Sequence, residues 1–175
     1  SAKGIAEGVS NSNWLIETSG RDGSPGSQSA RFILTMYERR IETADLPFFL
    51  DLLDHLSAAD CPVPRTIHDR EGASFRMIDG KAVALIEFLP GVSPTAPTAT
   101  QARAVGVALA RMHGAAQDFP GSRTNDLGPG QNAATLEACG GDALAGIDPN
   151  LPAVVERART ITEEWPSDLP QSIIH

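Results

Sequence analysis

The sequence lacks the segments and residue clusters that mark membrane-spanning, exported or nucleic-acid-binding proteins. No apolar run approaches the length that would span a bilayer, and no basic start followed by an apolar stretch indicates a signal peptide. Lys and Arg total 14 against 22 Asp and Glu, for a formal net charge of -8. Because binding to a nucleic-acid backbone needs clustered cations, we expect no nucleic-acid partner and no membrane. A small anionic ligand is still compatible with this charge, since one nest of backbone N–H groups can hold it.

Cysteine and histidine are too sparse to indicate a disulfide framework or a metal centre. Cys61 and Cys139 lie far apart and form no Cys-x-x-Cys pair. We interpret them as reduced, small apolar residues of a cytoplasmic protein, with a disulfide as the alternative. The four histidines are scattered and no HExxH motif is present, so we expect no structural zinc site.

The sequence does contain enough apolar material for a folded domain. Hydrophobic residues make up 41% and charged residues 21% of the 175 residues, which excludes global disorder. This length suits one ordinary domain, or one small domain plus part of another. The chain begins without Met and stops within the apolar stretch Ser172–His175, which is typical of a strand cut short. We therefore expect it to be part of a longer protein.

The first half is predicted to be rich in β-structure. Strands are predicted at Asn13–Thr18 and Arg31–Tyr37, joined by the Gly-, Ser- and Pro-rich residues 19–29 as an overlong hairpin tip. Asp79-Gly80 between two apolar runs predicts a second hairpin. The further extended segments are predicted at Arg65–His68, Ser74–Ile78 and Ala82–Leu89.

One amphipathic helix is predicted within this region. Its apolar residues recur at helical spacing: Leu46, Phe49, Leu50, Leu53 and Leu56. Asp45 is a suitable N-cap, Pro47 is tolerated in the first turn, and the prolines at 62 and 64 end the helix.

The second half is predicted to be helical. Thr98 and Gln101 form a capping box at the start of an apolar stripe made of Ala102, Val105, Leu109 and Met112. Residues 119–150 are rich in Gly, Pro and Asn and are predicted to hold at most a short helix at 133–138, before a second helical stripe at 151–165. The predicted organisation is a β-rich lobe at 1–90, a linker at 91–97 and a helical lobe at 98–175.

Two segments have the residue types of a nucleotide site. Residues 4–13 hold two glycines and several small polar side chains before a hairpin, which suits a loop that lays backbone N–H groups over phosphates. The alternative is an ordinary glycine-containing turn, since neither a Walker motif nor GxGxxG is present. The apolar strand 85–89 runs into Pro90-Gly91 and can offer backbone groups to an adenine edge, with a buried strand and turn as the alternative. His113 is interpreted as a hydrogen-bonded core residue.

A family resemblance extends over essentially the whole chain. It is carried by residues 4–8, 11–13, 32–38, 45–50, 62–64, 88–91, 106–113, 165–170 and 173–175. In this order the segments resemble the aminoglycoside-phosphotransferase-like kinases, and most closely the bacterial homoserine kinases. Asn11-Ser12-Asn13 and the Leu-Pro-Phe-Phe-Leu segment at 46–50 are fairly specific to homoserine kinases, whereas the segments 88–91 and 109–113 are shared across the superfamily.

The resemblance implies an α+β, bilobal protein-kinase-like fold, with an antiparallel-sheet N-lobe and the beginning of a helical C-lobe, truncated before the catalytic loop. It implies ATP as the nucleotide and assigns its site to Gly4, Gly8, Asn11, Ser12, Asn13, Thr35, Glu87, Phe88 and Leu89. Residues 4–13 would cover the phosphates, and 87–89 would be the hinge that reads adenine. His175 would be the first, structural residue of the catalytic-loop motif His-x-Asp-x-x-x-x-Asn. The catalytic Asp, the Mg²⁺ ligands and most acceptor-binding residues would lie beyond the chain end.

Two positions depart from the pattern of many superfamily members. Thr35 stands where those members carry a basic residue for the phosphates, and Phe49 stands near the position of the Glu that pairs with it. Arg39 or Arg40 is the candidate for handling phosphate charge instead, and the alternative for both is a solvated strand end.

The function implied for the parent protein is ATP-dependent phosphorylation of the hydroxyl of L-homoserine, a step toward threonine. Its partners would be ATP and homoserine. The first alternative is a related kinase for another small alcohol such as choline, a sugar or an aminoglycoside. The second alternative is a non-catalytic nucleotide-binding module.

Overall fold

The computed structural model describes residues 1–6, 11–19, 30–38, 42–166, 168 and 172–173. The strands in this part of the chain are β1 (Ala2–Ile5), β2 (Asn11–Glu17), β3 (Arg31–Tyr37), β4 (Arg76–Ile78) and β5 (Lys81–Glu87). They pair antiparallel in one sheet of order β1-β2-β3-β5-β4. This sheet, followed by helices, confirms the predicted α+β class.

The predictions for the first three strands were right in part. β3 has the predicted bounds and pairs with β2 along its whole length, which confirms the first hairpin. Residues 20–29 of the predicted hairpin tip lie outside the described residues. The prediction that residues 4–13 form a loop was wrong at both ends, because Gly4 lies in β1 and β2 begins at Asn11. A four-residue strand with an internal glycine has a weak sequence signal, and β1 is stabilised by pairing with β2.

The second hairpin follows the Asp-Gly signal. Asp79 has a φ of 50° and Gly80 a φ of 78°, and two successive positive values are what the twist of a two-residue hairpin requires. β4 is shorter than predicted, and β5 ends at Glu87 instead of Leu89. The segment 65–68 is not a strand of its own. Thr66 makes one isolated bridge to Ile86 of β5.

Helix α1 spans Leu46–Ala58, as its apolar spacing predicts. A short 3-10 turn at Thr43–Asp45 precedes it. Asp45 occupies the predicted N-cap position. Its side chain makes no capping hydrogen bond, so the position was predicted correctly but the cap interaction was not. Leu46 and Leu50 are almost completely buried, and each contributes about 2 kcal/mol through burial of its side chain.

Helix α2 spans Ala99–Ala116 and begins with the predicted capping box. Thr98 accepts from the backbone N–H of Gln101, whose side-chain oxygen accepts from the backbone N–H of Thr98 at 2.8 Å. The buried cluster between α1 and α2 is formed by Leu56, Cys61 and Ala116, with Leu52, Val63, Met112, Ala115 and Ile173 packed around it. Both cysteines are free thiols.

The described residues divide into two compact units. One holds the described residues up to Ser122 together with Ser172 and Ile173, and the other holds those from Arg123 to Asp168. The second unit contains α3 (Pro129–Cys139), α4 (Gly141–Ile147) and α5 (Leu151–Glu163). The prediction of at most one short helix in 119–150 was therefore wrong. Gly140, with a φ of 76°, provides the sharp corner that lets two helices follow each other there.

Among the described residues, none of the helices is long and apolar enough to cross a membrane. The predicted lobe limits at residues 90 and 97 stay predictions.

Candidate functional site

Cross-strand pairing arranges the sheet residues in rows. Asn13 lies opposite Thr35, and Thr35 lies opposite Ala84. One row further toward the end of β5, Leu15, Ile33 and Ile86 lie side by side in the same way. Because side chains directly opposite each other share a face and successive side chains alternate, both rows lie on one face, here called the Asn13 face. Asn11 also lies on it, opposite Tyr37, whose pKa is raised by burial.

The polar row of the Asn13 face holds a hydrogen bond with unused donors beside it. The Thr35 hydroxyl donates to Oδ1 of Asn13 at 2.9 Å, and Thr35 is buried. No described residue accepts a hydrogen bond from the Asn13 amide nitrogen. This row therefore combines neutral side chains with two N–H donors that a ligand can use.

Ser12 points to the other side of the sheet, here called the Ser12 face. Its hydroxyl donates to Oε1 of Glu38 at 2.8 Å, and Lys81 Nζ lies 2.6 Å from the other oxygen of Glu38. The structure therefore separates the side chain of Ser12 from Asn13 and Thr35, although the sequence groups all three.

In the predicted hinge, the side chain of Glu87 is already paired with another residue of the protein. Arg65 Nε lies 3.2 Å from Oε2 of Glu87, and the N–H of Glu87 donates to the carbonyl of Arg65 at 2.9 Å. The side-chain hydrogen bond from Arg65 lowers the pKa of Glu87, so this carboxylate is bound to a cation and acts in holding the strand end. Phe88 lies under the guanidinium of Arg31, 4.3 Å from ring centroid to Cζ. Leu89 is 46% exposed and is the hinge side chain open to a ligand.

The structure does not describe all of the predicted positions. Gly8, Arg39, Arg40 and His175 lie outside the described residues. Phe49 packs edge-on against Phe48 with ring centroids 5.4 Å apart. An aromatic side chain therefore stands where many superfamily members carry the Glu that pairs with a basic residue on the strand.

Comparison of the sequence with known protein families identifies the family of this chain. The profile of the phosphotransferase enzyme family (APH) matches residues 1–175. The chain belongs to the phosphotransferase enzyme family. This confirms the resemblance to the aminoglycoside-phosphotransferase-like kinases.

Three relatives of this phosphotransferase-family chain are named homoserine kinase. The protein from Caulobacter sp. (strain K31) is 43% identical over 174 residues, covering 99% of this chain and 51% of the relative. The protein from Acidiphilium cryptum (strain JF-5) is 42% identical over 174 residues, with the same coverage of 99% and 51%. The protein from Phenylobacterium zucineum (strain HLK1) is 42% identical over 176 residues, covering 100% and 51%. The chain spans about half the length of the curated relatives it matches.

The phosphotransferase-family sheet carries one cation that sequence reasoning missed. Lys3 in β1 lies opposite Leu15, so it shares the Asn13 face. The alternation of side chains along a strand at residues 2–5 is the signal that could have found Lys3. Because no strand was predicted there, Lys3 was not assigned to a face of the sheet.

Other features of this phosphotransferase-family chain stand apart from the predicted residues. In the second unit, a groove of about 310 Å³ is lined by α3, by α5 and by Trp165 just after α5, with Leu136 and Val155 among its residues. None of the predicted site residues that the structure describes lines it. Within the described residues, no group of three or more His, Cys, Asp or Glu side chains could hold a metal ion.

Proposed function

We propose that the chain is the nucleotide-binding portion of an ATP-dependent kinase that phosphorylates the hydroxyl of L-homoserine, a step toward threonine. The family match supports phosphoryl transfer, and the relatives named homoserine kinase support the acceptor. The observation that carries the proposal is the pairing of two rows on the Asn13 face, one apolar and one with N–H donors that no described residue engages.

The two rows match the two chemical halves of ATP. Leu15, Ile33 and Ile86 are half-buried apolar side chains that would pack against the base, next to the strand end where Glu87 leads into Leu89. Asn13 and Thr35 lie one row nearer to the end of β1 at Ile5, where hydrogen-bond donors would meet the phosphates.

The residues of the Asn13 face bind and orient the nucleotide. Phosphoryl transfer also needs a carboxylate that orients the acceptor hydroxyl and carboxylates that hold Mg²⁺. The described residues do not provide a carboxylate cluster that fits Mg²⁺. We propose that these groups belong to the part of the full-length protein beyond this chain.

The decisive experiment measures kcat/KM of the full-length protein for homoserine, choline and an aminoglycoside at fixed ATP. We expect homoserine to be preferred by a large factor, because a site built for its amino and carboxylate groups leaves buried polar atoms unpaired with the other acceptors. If choline or the aminoglycoside is preferred, the kinase proposal stands and the homoserine assignment fails.

A non-catalytic nucleotide-binding module is the second candidate. It rests on Thr35 and Phe49, which stand where many superfamily kinases place a charged pair, although the homoserine kinases that the chain resembles share the Thr. The same experiment separates the two functions: ATP binding without transfer to any of the three acceptors would support the module.

A further inference from the structure

Three of the four basic residues in the described strands have a partner. The guanidinium of Arg31, at the far end of the Asn13 face opposite Glu17, lies over Phe88. Arg76 pairs with Asp69 and Glu71, and Lys81 pairs with Glu38. The fourth, Lys3, is exposed and has no hydrogen-bond or ion-pair partner among the described residues. Its ammonium group is therefore available to a ligand.

The register decides which face this ammonium group serves. Lys3 lies opposite Leu15, and Leu15 lies opposite Ile33, so all three are on the Asn13 face. Lys81 is on the Ser12 face, since it pairs with the carboxylate that also accepts from Ser12. From the spacing of strands and residues, the Cα atoms of Lys3 and Thr35 are about 12 Å apart. An anion held between them is within reach of the flexible lysine side chain and of the Asn13 amide.

Charge balance gives this lysine a task. The triphosphate of ATP carries several negative charges, and Asn13 and Thr35 offer only neutral groups to it. The chain as a whole has a formal net charge of -8, which adds no general attraction for an anion.

We propose that Lys3 supplies the positive charge that binds the phosphate groups of the nucleotide, from the edge strand β1 in place of a cation at Thr35. This inference rests on the proposed function, namely that the Asn13 face binds ATP. Lys3 lies opposite Leu15, in the row proposed for the base, so its flexible side chain would extend along the sheet to the phosphates beside Asn13 and Thr35.

The test compares ATP with adenosine, which has no phosphates. Calorimetry on the full-length protein without Mg²⁺ should show that Lys3→Gln weakens ATP binding by roughly tenfold, the effect of one charge-assisted contact. Adenosine binding should be unchanged, and Lys3→Arg should restore most of the affinity for ATP. Thermal unfolding of each variant checks that the sheet is intact.

Lys81→Gln is the matched control, because it removes the same charge from the Ser12 face of the same sheet. If Lys3→Gln binds ATP as tightly as Lys81→Gln does, the role of Lys3 is refuted while the proposed function stands. Equal losses for ATP and adenosine would also refute it, since they indicate a structural effect. If the unmodified protein binds neither compound, the proposed function itself fails.

Discussion

On the Ser12 face Ser12, Lys81 and Glu38 are joined to one another, whereas on the Asn13 face Asn13 and Lys3 keep donors without a described partner. Glu38 accepts from both Ser12 and Lys81, so one carboxylate joins β2 and β5 across the strand between them. On the Asn13 face, the side-chain oxygen of Asn13 accepts from Thr35, while its amide N–H groups have no acceptor among the described residues. Lys3 is also unpaired within the described residues.

The difference shows how one sheet can pair its polar side chains on one side and keep donors without a described partner on the other. Adjacent residues of a strand point to opposite faces, so Ser12 and Asn13 differ in role although they are neighbours in sequence. A polar group with a partner inside the protein stabilises the fold, and one without a partner is available for a ligand at little cost when exposed.

The largest expected effect comes from adding a negative charge to the Asn13 face. Asn13→Asp keeps the oxygen that accepts from Thr35 but removes the two N–H donors and places a carboxylate near the proposed phosphates. We expect ATP binding to the full-length protein to weaken roughly 100-fold by calorimetry, because facing like charges cost several kcal/mol. Lys81→Gln makes the same change in net charge on the Ser12 face and should leave binding unaltered. Equal losses in the two variants would remove the distinction between the faces.

A smaller effect is expected when the paired face is opened. Glu38→Gln removes the charge that holds Lys81, and the pair is partly exposed, with the two side chains 46% and 30% accessible. We expect the free energy of unfolding to fall by about 1 kcal/mol or less in denaturant titrations, with ATP affinity unchanged. A loss of ATP affinity without a loss of stability would show that the Ser12 face takes part in binding.

The smallest effect is expected from a group that belongs to neither face. His68 Nδ1 lies 2.9 Å from the carbonyl of Gly72 and Nε2 lies 2.5 Å from Oδ2 of Asp54. Both neighbours accept hydrogen bonds, so both raise the pKa of His68, the Gly72 contact most, and Asp51 adds to this electrostatically.

The sign of the pH dependence follows from the raised pKa. The stabilisation by His68 is fully present below the ordinary pKa of about 6.5 and is lost as pH rises through the higher pKa of the folded state. Unfolding of the full-length protein on either side of this range should show the decline, and His68→Gln should lose that part of it. A variant with the same pH dependence as the unmodified protein would assign the decline to another group.

Much of the fold could be predicted because its signals are local. The spacing from Leu46 to Leu56, the capping box at Thr98 and the Asp79-Gly80 turn each determine their own element. β1 could not be predicted in this way, since it is stabilised by β2 and not by its own four residues.

The candidate site was predictable as a set of residues but not as an arrangement. The small polar residues of 4–13 selected Ser12 and Asn13, and the family resemblance added Thr35. Only the register of β2 on β3 shows which two meet. Lys3 could not be found from composition, because its significance depends on the face that an unpredicted strand gives it.

Thr66 has a mechanical consequence for this sheet. Its neighbours hold β5 through the backbone, as Ile67 donates to Leu85 and Arg65 accepts from Glu87, both within 2.9 Å. Thr66 itself donates from its N–H to Asp54 of α1 at 3.3 Å. The segment 65–67 therefore links α1 to β5 through hydrogen bonds. A rotation of α1 would break these hydrogen bonds or move the end of β5, so the position of the predicted hinge depends on the position of α1.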